Sequence, residues 1–119
     1  MRDFRELKVW QKAHRMTLDV YEVTKDFPRE ERYGLTSQLR RSSSSIPANI
    51  AEGCGKTSVS ELGRYLQVAM GSSSELEYHL LLARDLKLLN TETHDRLSNE
   101  VSEVRRMLLA FARQLKIRS

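Results

Sequence analysis

The sequence predicts an all-α protein folded as an antiparallel up-down-up-down four-helix bundle. Three observations support this prediction. Glycine and proline are scarce, with 5 and 2 copies in 119 residues, which disfavours the turn-rich sandwiches and barrels of all-β proteins. Apolar residues recur at steps of three and four through four long segments, which is the period of helices that bury one face. Short polar connections join the segments, so neighbouring helices are expected to run in opposite directions.

The composition predicts one cytoplasmic domain spanning residues 1–119. Its 39% hydrophobic and 30% charged residues are typical of a globular chain, and a chain of this length can bury a core without disulfides. Cys54 is the only cysteine, which excludes an intramolecular disulfide and favours a reducing compartment. No apolar run approaches the roughly 18 residues of a membrane span. The N-terminal residues include acids and no apolar core, unlike a secretory signal.

The first helix is predicted over residues 4–27. Its apolar seam keeps alternating steps of four and three: Val9, Ala13, Met16, Val20, Val23 and Phe27. A second apolar row widens the arc beyond one seam: Leu7, Trp10, Leu18 and Tyr21. Either this helix is deeply buried or its flank meets another subunit. Pro28 ends the helix, because the residue before a proline is pushed out of the helical region.

The segment 38–55 is the one around which the chain is organised, and it lies mostly within a second helix predicted over residues 35–52. Four consecutive serines at 42–45, followed by Pro47, are poor helix formers. One face nevertheless keeps the helical period: Leu35, Leu39, Ser43, Ile46 and Ile50. Gly53 is a helix stop. We interpret the segment as a small-residue helix that a neighbour approaches closely. The alternative is a loop whose period is accidental.

The third helix is predicted over residues 58–89, starting at the capping box of Ser58 and Glu61. Its four-three period extends over three heptads: Leu62, Leu66, Ala69, Ser73, Leu76, Leu80 and Ala83. Gly71 and the serines at 72–74 lie within this period, and the glycine alone costs about 1 kcal/mol of helix stability. We expect close packing against the serine-rich second helix to offset this cost, with the two small-residue stretches facing each other.

The fourth helix is predicted over residues 91–116, with Asn90 or Thr91 as its cap. Its core-facing residues again alternate: Leu97, Val101, Val104, Leu108, Phe111 and Leu115. Met107 and Ala112 widen the apolar arc. The first and fourth helices therefore carry more apolar surface than one seam needs, which suits an oligomer.

No residue pattern predicts catalysis, a metal site or a cofactor. The three histidines form no zinc-type pair. Glu75 and His79 are four residues apart and are the one such pair, whereas di-iron bundles carry Glu-x-x-His motifs on two helices. The segment 53–57 resembles the end of a phosphate-binding loop, but Ile50 stands where the first glycine is required. Cys54 has no base beside it in the sequence. We therefore expect a non-enzymatic protein without a cofactor.

One polar cluster is predicted on the second and third helices. Its members are Arg41, Ser45, Asn49, Glu52 and Glu75. Charge inside a bundle is tolerated when it is paired and hydrogen-bonded. We interpret the cluster as an ion-pair network that holds helix register or subunit docking.

Two basic stretches are candidate phosphate contacts. The first follows one helix at steps of three, four and three: Arg5, Lys8, Lys12 and Arg15. The second occupies the acid-free C-terminus: Arg105, Arg106, Arg113, Lys116 and Arg118. On a chain of net charge +4, such clusters attract phosphate backbones. The alternatives are a solvated helix face for the first stretch and a favourable interaction with the helix dipole for the second.

Four motifs together resemble a known family. They are Leu7-x-Val9-Trp10, Leu35-Thr36-x-Gln38-Leu39-x-Arg41, Ser45-Ile46-Pro47-Ala48-Asn49-Ile50-Ala51-Glu52-Gly53 and Ala69-x-Gly71-Ser72-x-x-Glu75-Leu76. Over almost its whole length, the chain is similar to the four-helix-bundle proteins encoded within intervening sequences of bacterial large-subunit ribosomal RNA genes. The resemblance implies a small antiparallel bundle that assembles as a ring-like homopentamer. It also implies similarity to the accessory proteins of diversity-generating retroelements, which are basic pentamers that bind nucleic acid and a reverse transcriptase.

These observations lead to one functional hypothesis and one alternative. The hypothesis is a non-enzymatic homo-oligomeric bundle that binds structured RNA or DNA, with ribosomal RNA as the first candidate, through both basic stretches. Phosphate contacts of this kind are salt-dependent and read little sequence. The alternative is a protein-interaction scaffold or accessory subunit, whose partner is another protein such as a polymerase, with no direct nucleic-acid role.

Overall fold

The computed structural model describes residues 2–118, with side chains through Lys116. Over these residues the chain forms four α-helices: α1 (Lys8–Thr24), α2 (Leu35–Cys54), α3 (Val59–Asp85) and α4 (Thr91–Arg118). Two short 3-10 turns, Phe4–Glu6 and Arg29–Glu31, precede α1 and α2. The described residues contain no β-strand. The predicted all-α class with four helices is confirmed.

Each helix packs against two others around one core. α1 contacts α2 and α4, and α3 contacts the same two helices. The molecule measures 46 × 22 × 20 Å, so the core is a long column between the helices. All four helices contribute fully buried side chains to it, among them Met16, Leu39, Leu76 and Leu108. Because α1 packs against α4, some cations of the two basic stretches become neighbours although they come from opposite ends of the sequence.

The predicted apolar seams fit the core closely in three helices and less closely in α1. Every residue named for the seams of α2 and α3 is buried, and in α4 only Phe111 stays half-buried. In α1, Val23 and Phe27 are half-buried, whereas Thr17 and Thr24 are fully buried. Both threonines can be buried because their hydroxyl groups donate to backbone carbonyls one turn earlier, at 2.8 Å.

α1 is shorter at both ends than the predicted helix over residues 4–27. The Asp3 carboxylate accepts a hydrogen bond from the Arg5 backbone N–H at 3.0 Å and starts a separate 3-10 turn. Leu7 is then extended, with φ of −79° and ψ of 127°, so α1 begins only at Lys8. At the other end the helix stops at Thr24. The chain turns before Pro28, as expected for residues that precede a proline.

α3 also ends earlier than predicted, at Asp85 rather than at residue 89. Lys87 adopts a left-handed backbone conformation with φ of 63°. The backbone N–H groups of Leu88 and Leu89 donate to the Ala83 carbonyl at 2.9 and 3.3 Å. A left-handed residue followed by N–H groups that return to the last turn is a common way to end a helix.

The two predicted helix caps that precede α3 and α4 are present. The Ser58 hydroxyl accepts a hydrogen bond from the Glu61 backbone N–H at 3.1 Å, which caps α3, and it donates to the Glu61 carboxylate at 3.1 Å. Asn90 caps α4, because its side-chain oxygen accepts from the Thr93 backbone N–H at 2.7 Å.

α2 passes through Pro47 without a break, so the loop alternative for this segment is wrong. Proline lacks the N–H that would bond to the carbonyl of Ser43, one turn earlier. That carbonyl oxygen instead lies 3.0 Å from the Thr17 hydroxyl of α1. The same hydroxyl is 2.8 Å from the Ala13 carbonyl, so its single proton is shared between the two acceptors. A neighbouring helix thus satisfies the group that the proline leaves unpaired.

We expect Thr17→Val to lower the free energy of unfolding by about 1–2 kcal/mol, because a buried carbonyl loses its partner. In a Pro47→Ala background the loss should fall to less than half, since alanine supplies the missing N–H to Ser43. Thr24→Val is the matched control, and its effect should not depend on residue 47. Urea unfolding of the wild type, the three single variants and the two double variants measures this coupling. Equal losses at Thr17 in both backgrounds would refute the compensation.

The small residues of α2 and α3 face each other at one point, and Gly71 is not part of that contact. The Ser45 and Ser72 hydroxyls are hydrogen-bonded at 2.8 Å. Gly71 is exposed, and a Cβ there would meet nothing within 4 Å, so the prediction that close packing offsets its cost is wrong. The close approach occurs at Gly53, where a Cβ would lie 2.9 Å from Tyr65 Cβ. α2 continues through Gly53 to Cys54 and is capped by Gly55, so the predictions that Gly53 stops the helix and that the helix ends at residue 52 are wrong. The close approach of α3 is what favours glycine at position 53.

Candidate nucleic-acid interface

Cations from both basic stretches meet on one side of the molecule, where α1 packs against α4. The Lys12 ammonium is 2.6 Å from the Glu103 carboxylate. That hydrogen bond lowers the pKa of Glu103, and the positive charges of Arg106 and Arg15 act in the same direction. We call this surface the α1–α4 face: Lys12, Arg15, Glu100, Glu103 and Arg106. Its three cations outnumber its two carboxylates.

The other residues of the first basic stretch lie towards the N-terminus of α1. Lys8 is exposed on the first turn of α1. Arg5 is largely exposed but forms an ion pair with Asp3 at 3.0 Å. The Arg5 backbone and side-chain hydrogen bonds lower the pKa of Asp3. Phosphate contact by Arg5 would therefore compete with this pair, whereas Lys8 is more open.

Arg105 differs from the other basic residues of α4, because it points towards α3. Its Nε donates to the Ser73 hydroxyl at 3.0 Å, and one Nη donates to the Ser73 carbonyl at 3.3 Å. The same Nη donates to the Glu77 carboxylate at 3.2 Å. These contacts tie α4 to α3, so the structure gives Arg105 an internal role. A guanidinium with this many partners is a poor candidate for phosphate contact.

The last three basic residues lie near the C-terminus of α4. Arg113 and Lys116 line a groove between α3 and α4. The side chain of Arg118 lies outside the described residues. The second stretch is thus divided among the α1–α4 face, the α3 contact and this groove.

The five residues of the predicted polar cluster form three separate groups. Asn49 donates to the Ser45 hydroxyl at 3.0 Å, and that hydroxyl is hydrogen-bonded to Ser72 of α3. Arg41 lies 3.7 Å from Glu75, with both side chains substantially exposed. Glu52 accepts from the Tyr65 hydroxyl at 3.2 Å. Each group joins α2 to α3, which fits a role in register, but the structure brings no single network together.

Sequence reasoning missed a carboxyl pair between α1 and α4. Burial and a hydrogen bond to Asp19 raise the pKa of Glu100 to about 7. Arg96 forms an ion pair with Asp19, but its nearest Nη is 3.9 Å from Glu100 Oε2, beyond hydrogen-bonding distance. No local signal identifies the pair, because Asp19 and Glu100 lie on helices at opposite ends of the sequence.

Ser42, His79 and Cys54 are nucleophilic or titratable side chains of the described residues that lie partly or fully inside the bundle, away from the α1–α4 face. The Ser42 hydroxyl is 3.4 Å from His79 Nδ1, but it is buried and donates to the Gln38 carbonyl at 2.8 Å. Burial also lowers the pKa of His79. Cys54 is buried, and the loss of solvent raises the pKa of its thiol, which disfavours the nucleophilic thiolate.

Metal and membrane chemistry also find no support in the part of the chain that the structure describes. There, no group of three or more histidine, cysteine or acidic side chains is arranged to hold a metal ion. None of the helices within the same residues combines the length and the apolar character that crossing a membrane requires.

The chain is similar to known proteins in both sequence and fold. The chain matches the family described as 23S rRNA-intervening sequence protein over residues 5–110. No curated protein matches it. Its fold is similar to the crystal structure of a protein of unknown function from the S23 ribosomal protein family of Bacteroides thetaiotaomicron VPI-5482. The two chains are 22% identical, and the alignment covers 87% of this chain and 97% of that one, with a TM-score of 0.79. At this identity the likeness establishes a shared fold.

The family match begins within the turn that precedes α1 and ends inside α4, so it includes α1, α2 and α3 completely. It also spans Pro47, Gly53 and the acidic and basic residues of the α1–α4 face. The chain therefore belongs to the family of 23S rRNA-intervening sequence proteins.

Proposed function

We propose that this protein is a non-enzymatic, homo-oligomeric bundle that binds structured nucleic acid, and ribosomal RNA first of all, through the α1–α4 face. The observation that carries the proposal is the meeting of Lys12, Arg15 and Arg106 near the Glu103 carboxylate, on a face where cations exceed carboxylates. Residues from opposite ends of the chain contribute to this face. A phosphate group could replace Glu103 as the partner of these cations, with little change of geometry.

The chemistry of the face favours a phosphate backbone over a small anion. Lys8 extends the row of cations along α1 by one turn beyond Lys12. Lys8 and Arg15 are exposed and Lys12 is half-buried, and the pocket between the helices at this face measures only about 80 Å³. Extended, exposed cations contact successive phosphates without reading bases. The family name, which refers to an intervening sequence of 23S rRNA, makes ribosomal RNA the first ligand to test.

The assembly is also a proposal. The short connections and the contact of each helix with the next support an antiparallel up-down-up-down order. Leu18, exposed to 55% on α1, supports self-association. The family resemblance suggests five copies, which would raise the charge from +4 to about +20 and allow avid binding of a polyanion. Cys54 as a free buried thiol supports a cytoplasmic location.

The test is binding of a structured 23S rRNA fragment, measured by fluorescence anisotropy at about 50 and about 200 mM salt. Four phosphate contacts, from Lys8, Lys12, Arg15 and Arg106, should make the affinity fall about 100-fold between these concentrations. The double variant Arg15→Glu/Arg106→Glu should bind more weakly, and its affinity should fall only about 10-fold over the same range.

The matched control is Arg29→Glu/Arg32→Glu, which changes the net charge equally on the exposed connection between α1 and α2. It should leave the salt dependence unchanged. Equal losses for both double variants would mean that net charge, rather than this face, attracts RNA. The absence of binding at the lower salt concentration would refute the nucleic-acid function.

A second candidate function, that of an accessory subunit for another protein, is favoured by the groove between α3 and α4.

A further inference from the structure

An open groove of about 570 Å³ runs between the N-terminal half of α3 and the C-terminal half of α4. Aliphatic side chains form much of its lining, including Val59, Met70, Leu109 and Ala112. Val59 and Leu109 remain 40% and 41% exposed, which is high for apolar residues of this size. This surface lies beyond the α1–α4 face and has no part in the nucleic-acid binding proposed above.

The charges that line the groove are all positive. Arg64 from α3 and Arg113 and Lys116 from α4 contribute to its walls, and no carboxylate lines it. Arg64 lies over the ring of Tyr65, with its guanidinium carbon 5.4 Å from the centroid. Among the described residues, neither Arg64 nor Arg113 has a carboxylate within ion-pairing distance. An occupant should therefore combine apolar side chains with negative charge.

We propose that this groove binds an acidic amphipathic helix of a protein partner. Two long helices form the walls, and the part of α3 that lines the groove, residues 59–70, is about 17 Å long. That length matches three turns of a third helix, whose apolar side chains at every third or fourth position would enter the groove. The acidic flanks of such a helix would meet Arg64 and Arg113. No sheet edge exists within the described residues to receive an extended strand.

Gly63 provides the close approach that a docked helix needs. It lines the groove, and a Cβ there would meet nothing within 4 Å. The folded chain itself therefore has no packing requirement for glycine at this position, although glycine costs about 1 kcal/mol in a helix interior. A bare backbone at this point lets a partner helix lie near the α3 axis.

A nucleic acid fits the groove less well than a protein helix does. Single-stranded bases bind by stacking on aromatic side chains, and none of the residues that line the groove is aromatic. A duplex contacts proteins largely through its phosphates, so it would leave the aliphatic lining of the groove exposed to water, whereas an apolar helix face would bury it.

The test uses a synthetic peptide of about 16 residues, with leucines on one helical face and glutamates on both flanks. One comparison peptide replaces the glutamates with lysines, and another has the same composition without helical spacing. We expect the acidic peptide to bind the full chain with micromolar affinity, and the two others to bind at least about 10-fold more weakly. Calorimetric titration measures all three.

Two sets of variants locate the binding. Gly63→Trp fills the groove and should weaken binding of the acidic peptide at least about 10-fold. Gly71→Trp, at an open position on the same helix but outside the groove, should leave that binding unchanged. Arg64→Glu/Arg113→Glu should reverse the preference, so that the lysine peptide binds better than the acidic one. Circular dichroism checks that each variant keeps its helices.

Four outcomes would overturn the proposal. Equal binding of acidic and lysine peptides would show that the charges do not select the occupant. Retained binding in Gly63→Trp would place the peptide elsewhere. If Gly63→Trp, but not Gly71→Trp, dissociated the chain's own oligomer, a second copy would occupy the groove. If Gly63→Trp abolished binding of the 23S rRNA fragment while Arg15→Glu/Arg106→Glu did not, the groove would be the nucleic-acid site.

Discussion

Replacing Glu100 with glutamine should raise the free energy of unfolding at pH 8 by about 1–2 kcal/mol and should leave it almost unchanged near pH 5. At the higher pH, folding holds an ionised Glu100 beside the carboxylate of Asp19, in a position that is partly shielded from water. Glutamine removes this repulsion, and its amide can donate the hydrogen bond to Asp19 that the protonated acid donated.

The sign of this pH-dependent stability change follows from the pKa of Glu100, which burial and the Asp19 hydrogen bond raise from 4.5 to about 7. An acid that binds its proton more tightly in the folded state stabilises the fold fully below pH 4.5 and loses that contribution as the pH rises through 7. Arg96 and Lys12 oppose the shift but do not cancel it. The full shift corresponds to about 3 kcal/mol, and we halve this figure because the side chain is 35% exposed.

Urea unfolding of the wild-type chain and of Glu100→Gln across pH 5 to 8 measures the difference, with about 0.5 kcal/mol resolved. Glu103→Gln is the control on the next turn of α4. Its pKa is lowered because Lys12 donates a hydrogen bond to it, so its removal should bring no gain at pH 8. If the difference in unfolding free energy between wild type and Glu100→Gln did not change with pH, the raised pKa of Glu100 would be refuted.

Replacing Gly53 with alanine should lower the free energy of unfolding by about 2 kcal/mol. A Cβ at this position would lie 2.9 Å from both Leu62 Cδ1 and Tyr65 Cβ. The leucine methyl group can rotate away, but the Tyr65 Cβ is attached to the α3 backbone. The two helices must therefore move apart, which also strains the hydrogen bond between the Tyr65 hydroxyl and Glu52.

The matched variant is Gly71→Ala, at a helical position with no neighbour for a Cβ. Because alanine is the better helix former and no packing opposes it, we expect a gain of about 0.5–1 kcal/mol. Thermal or urea unfolding of both variants measures the change in the free energy of unfolding at a glycine packed against α3 and at a glycine without neighbours. A gain at Gly53 would contradict the close approach of α2 and α3 at this point.

The helical periods of α2, α3 and α4 could be predicted because each segment has one apolar face, and a local period decides which residues turn inward. This holds even where the residue types are poor helix formers, as in the serine run that ends at Pro47. The helix ends were less predictable, because Asp3 and Lys87 end or start turns through backbone conformations that many sequences can adopt.

The candidate site could be predicted only in part. Lys12, Arg15 and Arg106 were identified from their charge and spacing, and the structure brings them together around Glu103. Arg105 has the same charge and a neighbouring position, yet it binds Ser73 and Glu77 within the bundle. One residue along a helix is a rotation of about 100°, so adjacent arginines face different neighbours once the helices are packed.

By itself, the sequence determined the helix content and the buried face of each helix, because both depend on residues that are close along the chain. Only the tertiary structure decided which polar groups become partners. The Thr17 hydroxyl meets the carbonyl that Pro47 leaves free, and Asp19 meets Glu100 across two helices. These pairs join distant segments, and they form only at one rotation and register of the packed helices. The apolar period of a single helix does not specify that rotation or register.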